Sequence, residues 1–218
     1  MTRIKICGIK TEAQAIAAAK AGADFIGLVF APSPRQVTPE TAVKIVAALK
    51  KEKPTIEAVG VFVNTDTATV ERIAEDCHLD RIQLSGDEPW EYCRDLDRPV
   101  IKVMRVSRNN PAERVLKDIE HGMKILNGRE ARILLDTKSR EKYGGTGEAF
   151  DWDSARPIAR RFPVIIAGGL TPANVSRAIK IISPWGVDVS TGVETRGVKD
   201  VKKIRKFIEA VRQTDANA

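Results

Sequence analysis

Residues 3–30, RIKICGIKTEAQAIAAAKAGADFIGLVF, decide the fold because they alternate between two kinds of hydrophobic pattern. The run from Ile4 to Cys7 is short and β-rich, and Asp24 to Phe30 is a second run of the same kind. Between them, Thr11 to Ala21 has the spacing of an amphipathic helix. A strand, a helix and another strand in this order predict parallel strands joined by a helical crossover.

The same alternation continues to the C-terminal end of the chain. Further strands are predicted at Ile56 to Val63, Arg81 to Leu84, Val100 to Val106, Arg132 to Asp136, Val164 to Ala167 and Gly186 to Val189. Helices are predicted near Pro39 to Lys50, Thr67 to Cys77, Glu88 to Leu96, Ala112 to Leu126, Ser154 to Arg161, Pro172 to Ile182 and Lys199 to Val211. Thr38-Pro39 and Thr171-Pro172 have the pattern of an N-cap before proline at the first helical position.

Eight strand-and-helix units in 218 residues most simply close into one (β/α)₈ barrel, a TIM barrel, and a doubly wound open sheet is the alternative. No linker or low-complexity stretch divides the chain, so we expect a single domain over residues 1–218. The N-terminus has no apolar signal segment and no stretch is long and apolar enough to cross a bilayer, so we expect a cytoplasmic protein without a membrane partner.

The formal charge of +7 does not by itself indicate nucleic acid. The densest basic run is Lys199 to Phe207, in which apolar residues recur at helical spacing, so we assign its charges to the outer face of a packed helix. Only 5% of residues are aromatic, and no nucleic-acid-binding module is recognisable. We therefore expect no nucleic-acid partner.

Cys7 is the first candidate for chemistry, because a thiol at the end of a strand and before Gly8 lies where loops build sites. A buried structural thiol is the alternative. The other two cysteines, Cys77 and Cys93, fall in helical stretches and have no C-x-x-C spacing, so neither a disulfide framework nor a zinc site is expected. Lys5 shares a strand face with Cys7 and is a candidate for lowering the pKa of the thiol.

Asp136 ends an apolar strand, where an ionised carboxylate is costly to bury unless it is paired or functional. It is a candidate general acid or a structural group that caps backbone N–H groups. The two histidines, His78 and His121, lie in or at the ends of helices. Acid and base chemistry near neutral pH therefore falls to Cys, Asp, Glu or Lys side chains.

Two glycine-rich segments follow the last two strands, Gly168-Gly169 and Ser190-Thr191-Gly192. In eight-fold barrels these positions commonly hold phosphate, and a short helix beginning after Gly192 would point its positive end at the ligand. Tight turns are the alternative for each segment alone. Asp188 shares a strand face with Ser190.

Two further loops are candidates for ligand contact. Arg35, on a proline-stiffened segment after the second strand, could bind a carboxylate through two hydrogen bonds or could be a solvated surface charge. The cluster Tyr143 to Gly147 predicts either a mobile loop over the site or a plain connection.

Together these segments resemble the phosphoribosylanthranilate isomerase family of tryptophan biosynthesis, over nearly the whole chain. The segments that carry the resemblance are Lys5 to Ile9, Ser33 to Arg35, Gly60 to Asn64, Ile133 to Thr137, Gly144 to Gly147 with Phe150 to Trp152, Ala167 to Leu170, and Asp188 to Glu194.

The resemblance implies a barrel enzyme that performs an Amadori rearrangement on a small phosphorylated substrate without metal or cofactor. It implies that Asp136 is the general acid that opens the ribose ring and that Cys7 is the general base that removes the C2 proton. The sequence leaves both a monomer and a homodimer open. The implied substrate-binding residues are Arg35, for the anthranilate carboxylate, and Gly168, Gly169, Asp188, Ser190, Thr191 and Gly192.

One position departs from the family. Ser85 stands where the family commonly has histidine, which puts any substrate contact of that histidine in doubt. The related isomerase of histidine biosynthesis is the nearest rival, and Cys7 argues against it because that family uses aspartate there. A barrel that binds phosphate without catalysis is the other alternative.

Overall fold

A computed structural model describes residues 1–106, 110–136 and 152–217 of the chain. In this part, eight parallel strands follow one another in chain order and close into a barrel. They are β1 (Arg3–Cys7), β2 (Phe25–Val29), β3 (Glu57–Phe62), β4 (Arg81–Leu84), β5 (Val100–Arg105), β6 (Ala131–Asp136), β7 (Val164–Ala167) and β8 (Gly186–Val189). The last strand pairs with the first, with Arg3 opposite Gly186. The barrel prediction is confirmed, and the open-sheet alternative is wrong.

The helices described follow the strands in alternation. They are α1 (Glu12–Ala21), α2 (Pro39–Glu52), α3 (Thr67–Asp76), α4 (Trp90–Arg94), α5 (Ala112–Leu126), α6 (Arg156–Ala159), α7 (Val175–Ile182) and α8 (Val201–Ala216), with 3₁₀ turns at Trp152–Ala155 and Thr191–Val193. None of these helices is long and apolar enough to cross a membrane. The Thr38 hydroxyl accepts a hydrogen bond from the backbone N–H of Thr41, which confirms the predicted cap of α2.

The start of α7 differs from the prediction. The helix begins at Val175 instead of Pro172, because the Asn174 carboxamide closes a local turn before it. The Asn174 Oδ1 accepts from the backbone N–H of Thr171 at 2.7 Å, and Nδ2 donates to the carbonyl of Gly169 at 3.0 Å. Asparagine side chains compete with helical hydrogen bonds in this way.

Side chains alternate between two apolar layers as the strand pattern predicts. Ile4, Ile6 and Leu135 are buried between the barrel and the helices. Val103 and Leu134 point into the barrel and belong to its interior cluster. Cys7 is two residues after Lys5, and Asp136 is two residues after the interior Leu134. Because side chains alternate along a strand, both face inward at the carboxyl end of the barrel, which is its mouth.

The segment after β8 also differs from the prediction. No described helix begins directly after Gly192; the chain instead forms a short antiparallel hairpin of β9 (Glu194–Thr195) and β10 (Val198–Lys199). Arg196 and Gly197 form its turn with positive φ values of 53° and 79°. Asp200 then caps α8, so Lys199 lies outside the helix.

Candidate active site

Cys7 is the last residue of β1 and is 8% exposed at the barrel mouth. Its neighbour across the β1–β2 ladder is Gly27, and a Cβ added there would lie 2.8 Å from Cys7 Sγ. A side chain at Gly27 would fill the space that the thiol occupies. The sequence around β2 therefore makes room for Cys7.

Lys5 and Asp188 form a buried ion pair on the same inner face as Cys7. The Lys5 Nζ donates to Asp188 Oδ1 at 2.8 Å, and the Lys5 side chain is 1% exposed. Burial lowers the pKa of Lys5, but the charge of Asp188 and the thiol of Cys7 more than offset it, so the net shift is upward. Lys5 thus stays charged beside the thiol.

The pKa of Cys7 moves opposite to the direction expected from the sequence. Burial raises the pKa of the thiol, and this outweighs the cation of Lys5, which lowers it. Asp188 raises the pKa of Cys7 further, and Lys199 lowers it. Lys5 has the predicted effect, but desolvation is the larger one because Cys7 lies in the barrel wall.

Arg35 makes a two-point ion pair with Glu194. The Arg35 Nε donates to Glu194 Oε1 at 2.7 Å, and Nη2 donates to Oε2 at 2.8 Å. The aliphatic part of Arg35 lies over Gly8, where an added Cβ would come within 2.5 Å of Arg35 Cδ. Gly8 has a positive φ of 79°. Arg35 is therefore held against the residue that follows Cys7.

Lys199 is the second partner of Glu194, at 2.6 Å from Nζ to Oε1. Its side chain is 1% exposed, so the prediction that it lies on the outer face of a helix is wrong. The same Nζ donates to the carbonyl oxygen and hydroxyl of Ser190 at 3.0 and 3.3 Å. Lys199 thus links Glu194 to the loop after β8.

Burial raises the pKa of Glu194, but the hydrogen bonds from Arg35 and Lys199 outweigh it and bring the pKa down to about 2. The pKa of Lys199 is lowered by burial, and the charge of Glu194 only partly offsets this. The carboxylate is therefore ionised across the neutral range, with a cation on either side.

The two glycine-rich segments adjoin each other at the mouth. Gly168 and Gly169 both have positive φ, 88° and 67°. A Cβ on Gly192 would lie 1.8 Å from the carbonyl oxygen of Leu170, so the loops after β7 and β8 are in direct contact. Ser190 precedes the 3₁₀ turn that contains Thr191 and Gly192. The structure therefore brings these predicted phosphate contacts together.

Asp188 differs from the other residues predicted to bind substrate. Its carboxylate is bonded to Lys5 inside the barrel instead of lying among the glycines. Asp136 ends β6 at the mouth and is partly buried, opposite Arg105 of β5. The predicted loop Tyr143 to Gly147 lies outside the described residues.

Ser85, at the position where the resemblance departs from the family, is tied into the end of β4. Its hydroxyl accepts from Gln83 Nε2 at 3.1 Å, and its carbonyl accepts from Arg105 Nη2 at 2.6 Å. Cys77 and Cys93 are free and buried, as the structural interpretation predicts. His78 and His121 are both exposed.

Glu194 and Lys199 are the residues that sequence reasoning missed. The signal for Lys199 was Asp200, an N-cap type directly before the apolar run of α8, which excludes Lys199 from the helix. Glu194 stood in a quoted motif, but no local pattern indicates that its partner is Arg35, 159 residues away.

One class of (β/α)₈ barrel proteins places its functional sites at the carboxyl ends of the strands. This chain has a thiol, a carboxyl group and two glycine-rich loops at that end, so it belongs to this class. Comparison with known proteins is more specific. The family model for N-(5'-phosphoribosyl)anthranilate isomerase matches residues 4–210.

Named relatives of that family match along the full chain. The N-(5'-phosphoribosyl)anthranilate isomerase of Dehalococcoides mccartyi is 48% identical over 217 residues, which are 100% of this chain and 99% of the relative. That of Roseiflexus sp. is 45% identical, covering 97% of this chain and 98% of the relative.

Solved structures agree. The phosphoribosylanthranilate isomerase of Thermotoga maritima superposes with a TM-score of 0.82 at 39% identity, covering 98% of this chain and 100% of that one. A phosphoribosylanthranilate isomerase in complex with reduced 1-(o-carboxyphenylamino)-1-deoxyribulose 5-phosphate superposes with a TM-score of 0.80 at 38% identity, with the same coverage. This chain belongs to the phosphoribosylanthranilate isomerase family.

Proposed function

We propose that this chain converts N-(5-phosphoribosyl)anthranilate to 1-(2-carboxyphenylamino)-1-deoxyribulose 5-phosphate in tryptophan biosynthesis. The observation that carries the proposal is the family match over residues 4–210, together with relatives of the same name along the full chain. The reaction is an internal redox change, in which C1 of the sugar is reduced and C2 is oxidised. No external oxidant or reductant enters its balance.

Asp136 acts first, as the general acid. Its proton passes to the ring oxygen of the ribose while the bond from C1 to that oxygen breaks, and the nitrogen lone pair forms a C=N bond to C1. The product is an open-chain protonated Schiff base beside the Asp136 carboxylate. The position of Asp136 at the carboxyl end of β6 supports this role.

Cys7 acts second, as the general base. The thiolate takes the proton from C2, the electrons of that C–H bond form a C1=C2 double bond, and the nitrogen loses its positive charge. The resulting enolamine tautomerises to the ketone. Because burial raises the pKa of the free thiol, the cationic Schiff base has to supply stabilisation that Lys5 alone does not, since an adjacent positive charge favours the thiolate.

The two ends of the substrate are anionic, and the mouth offers a separate set of groups for each. Arg35 binds the anthranilate carboxylate, and the backbones of Gly168, Gly169 and the Ser190–Gly192 segment bind the phosphate. The contact between the two glycine-rich loops supports a shared phosphate site. Asp188 contributes through Lys5, which it holds beside Cys7.

Turnover of freshly generated N-(5-phosphoribosyl)anthranilate, followed by loss of its fluorescence, tests the proposal. The native chain is expected to turn it over and to leave the phosphoribosyl aminoaldose of histidine biosynthesis unchanged. A folded chain that converts neither substrate would contradict the proposal and favour a phosphate-binding barrel without catalysis. A chain that converts only the aminoaldose would favour the rival isomerase.

Monomer or homodimer stays a prediction for this chain. One Thermotoga maritima structure that it resembles is of monomers generated from a dimeric phosphoribosylanthranilate isomerase, at 38% identity. Sedimentation of the native chain over a range of concentrations distinguishes the two states.

A further inference from the structure

We propose that Glu194 is a positioning residue for substrate recognition, which holds Arg35 so that only one edge of its guanidinium group faces the anthranilate carboxylate. The inference rests on the proposed function, because it concerns the substrate end that Arg35 binds. It adds a residue for which neither the sequence pattern nor the comparisons give a role.

A guanidinium group presents two edges that suit a carboxylate, one through Nε and an Nη and the other through both Nη atoms. In Arg35 the first edge is occupied, because Nε and Nη2 donate to the two oxygens of Glu194 at 2.7 and 2.8 Å. Nη1 donates to no residue in the described part of the chain. The second edge is therefore the one left for a ligand carboxylate.

Glu194 is itself fixed. Its side chain is 4% exposed, and Lys199, which is 1% exposed, binds Oε1 from the other side at 2.6 Å. The backbone carbonyl of Glu194 also accepts from Lys203 Nζ at 2.6 Å. A carboxylate with so little freedom gives Arg35 one orientation, which removes the entropy cost of ordering a long side chain on binding.

The aliphatic part of Arg35 packs against Gly8. Its Cδ lies over the Gly8 backbone so closely that a Cβ there would come within 2.5 Å. Gly8 directly follows Cys7, so this contact places Arg35 beside the residue next to the thiol. Fixing the carboxylate end of the substrate in this way places the sugar relative to the base, which is how positioning residues contribute to rate.

The loss of charge and the loss of positioning predict opposite changes in KM for Glu194→Gln. The substitution removes a negative charge from the mouth, and charge alone predicts tighter binding of a dianionic or trianionic substrate. Loss of the two-point ion pair frees Arg35 and predicts weaker binding. The sign of the change in KM therefore separates the two effects.

The experiment compares two substrates, N-(5-phosphoribosyl)anthranilate and the analogue made with aniline, which lacks the carboxylate. For Glu194→Gln, KM for the anthranilate substrate is expected to rise roughly tenfold, the size of one charge-assisted hydrogen bond. KM for the aniline analogue is expected to change little. In an Arg35→Ala background, Glu194→Gln is expected to have no further effect on the difference between the two substrates, because Glu194 acts through Arg35.

The matched control is Glu57→Gln. Glu57 also pairs with an arginine, Arg81, but lies at the amino end of its strand, away from the mouth. This control is expected to leave the ratio of the two KM values unchanged. If Glu194→Gln does not fold, Glu194→Asp keeps the charge, shortens the reach by one methylene and is expected to give the same substrate-dependent loss.

Three outcomes would overturn the inference while the native chain still turns over its substrate. The first two are an equal rise in KM of Glu194→Gln for both substrates and a fall in its KM for the anthranilate substrate. The third is that the effects of Glu194→Gln and Arg35→Ala on the difference between the two substrates are fully additive. An inactive native chain would instead contradict the proposed function, so the two failures are distinguishable.

Discussion

The ammonium nitrogen of Lys5 lies 2.8 Å from a carboxylate oxygen of Asp188. Lys5 is two residues before Cys7 on β1, so both side chains lie on the same inner face of that strand. The two charges act on the thiol in opposite directions. Lys5 lowers the pKa of Cys7 and Asp188 raises it, with Lys5 the larger of the two. The ion pair therefore sets how readily Cys7 ionises, after burial has raised its pKa.

Substitutions in this pair are expected to move the reactivity of Cys7 both ways. Asp188→Asn removes the charge that opposes the thiolate and is expected to shift Cys7 alkylation by iodoacetamide to lower pH. The double substitution Lys5→Met with Asp188→Asn removes both charges, and is expected to shift it to higher pH because the effect of Lys5 dominates. Mass spectrometry of the Cys7 peptide separates its alkylation from that of Cys77 and Cys93. Shifts of the same sign in both variants would contradict this assignment.

Gly27→Ala is expected to lower kcat without removing any polar group. The new Cβ would lie 2.8 Å from Cys7 Sγ and 3.0 Å from Lys5 Nζ, so the thiol or the ammonium group must move. Overpacking of this kind costs about 1–3 kcal/mol of stability, and displacing the base should reduce kcat by roughly a hundredfold. Thermal unfolding and turnover measure the two effects. Gly128→Ala is a control for turnover only: nothing lies within 4 Å of a Cβ there, but its positive φ of 87° strains alanine, so it is expected to lower thermal stability and leave kcat unchanged. A Gly27→Ala variant with native kcat would show that Cys7 is not constrained at this position.

The contact between the two glycine-rich loops predicts a phosphate-specific effect. A Cβ at Gly192 would lie 1.8 Å from the Leu170 carbonyl oxygen, so Gly192→Ala should push the two loops apart. We expect KM for the phosphorylated substrate and the inhibition constant of inorganic phosphate to rise together. A rise in KM with unchanged phosphate inhibition would place the phosphate elsewhere.

Low pH is expected to destabilise the folded chain by protonating Glu194. The pKa of this carboxyl is about 2, because Arg35 and Lys199 outweigh a burial effect that raises it. In the unfolded chain it is about 4.3. A carboxyl with a lower pKa in the folded state adds stability that is complete above the unfolded value and is lost as the pH falls towards the folded value.

The native chain is therefore expected to lose more free energy of unfolding than Glu194→Gln as the pH falls from about 4.3 to about 2. Urea titrations at several pH values in this window measure the difference. Parallel loss in both chains would show that Glu194 does not titrate differently in the folded and unfolded states.

Much of the barrel could be predicted from sequence because buried parallel strands are short apolar runs bounded by turn residues. β4, β7 and β8 have the predicted bounds, and so does α5. The main errors fell where a side chain redirects the local backbone. Asn174 delays α7, and Asp200 begins α8 after Lys199.

Some residues of the site could also be predicted from sequence, and others could not. Cys7, Asp136 and the glycine-rich loops could be found because they occupy the ends of strands, a position that the chain order itself defines. The ion pair between Arg35 and Glu194 could not be predicted, because it joins the loop after β2 to the hairpin after β8, and these two segments meet only when the barrel closes. The upward shift in the pKa of Cys7 also depends on the depth of its burial, which strand pattern does not give.

The most direct test of the proposed acid and base is turnover of N-(5-phosphoribosyl)anthranilate by the native chain beside Cys7→Ala and Asp136→Asn. The native chain is expected to be active, and each variant is expected to lose at least about a hundredfold in kcat, as for a missing general acid or base. Both variants should stay folded. A folded Cys7→Ala or Asp136→Asn variant with near-native kcat would contradict the assignment of these two residues as the acid and base.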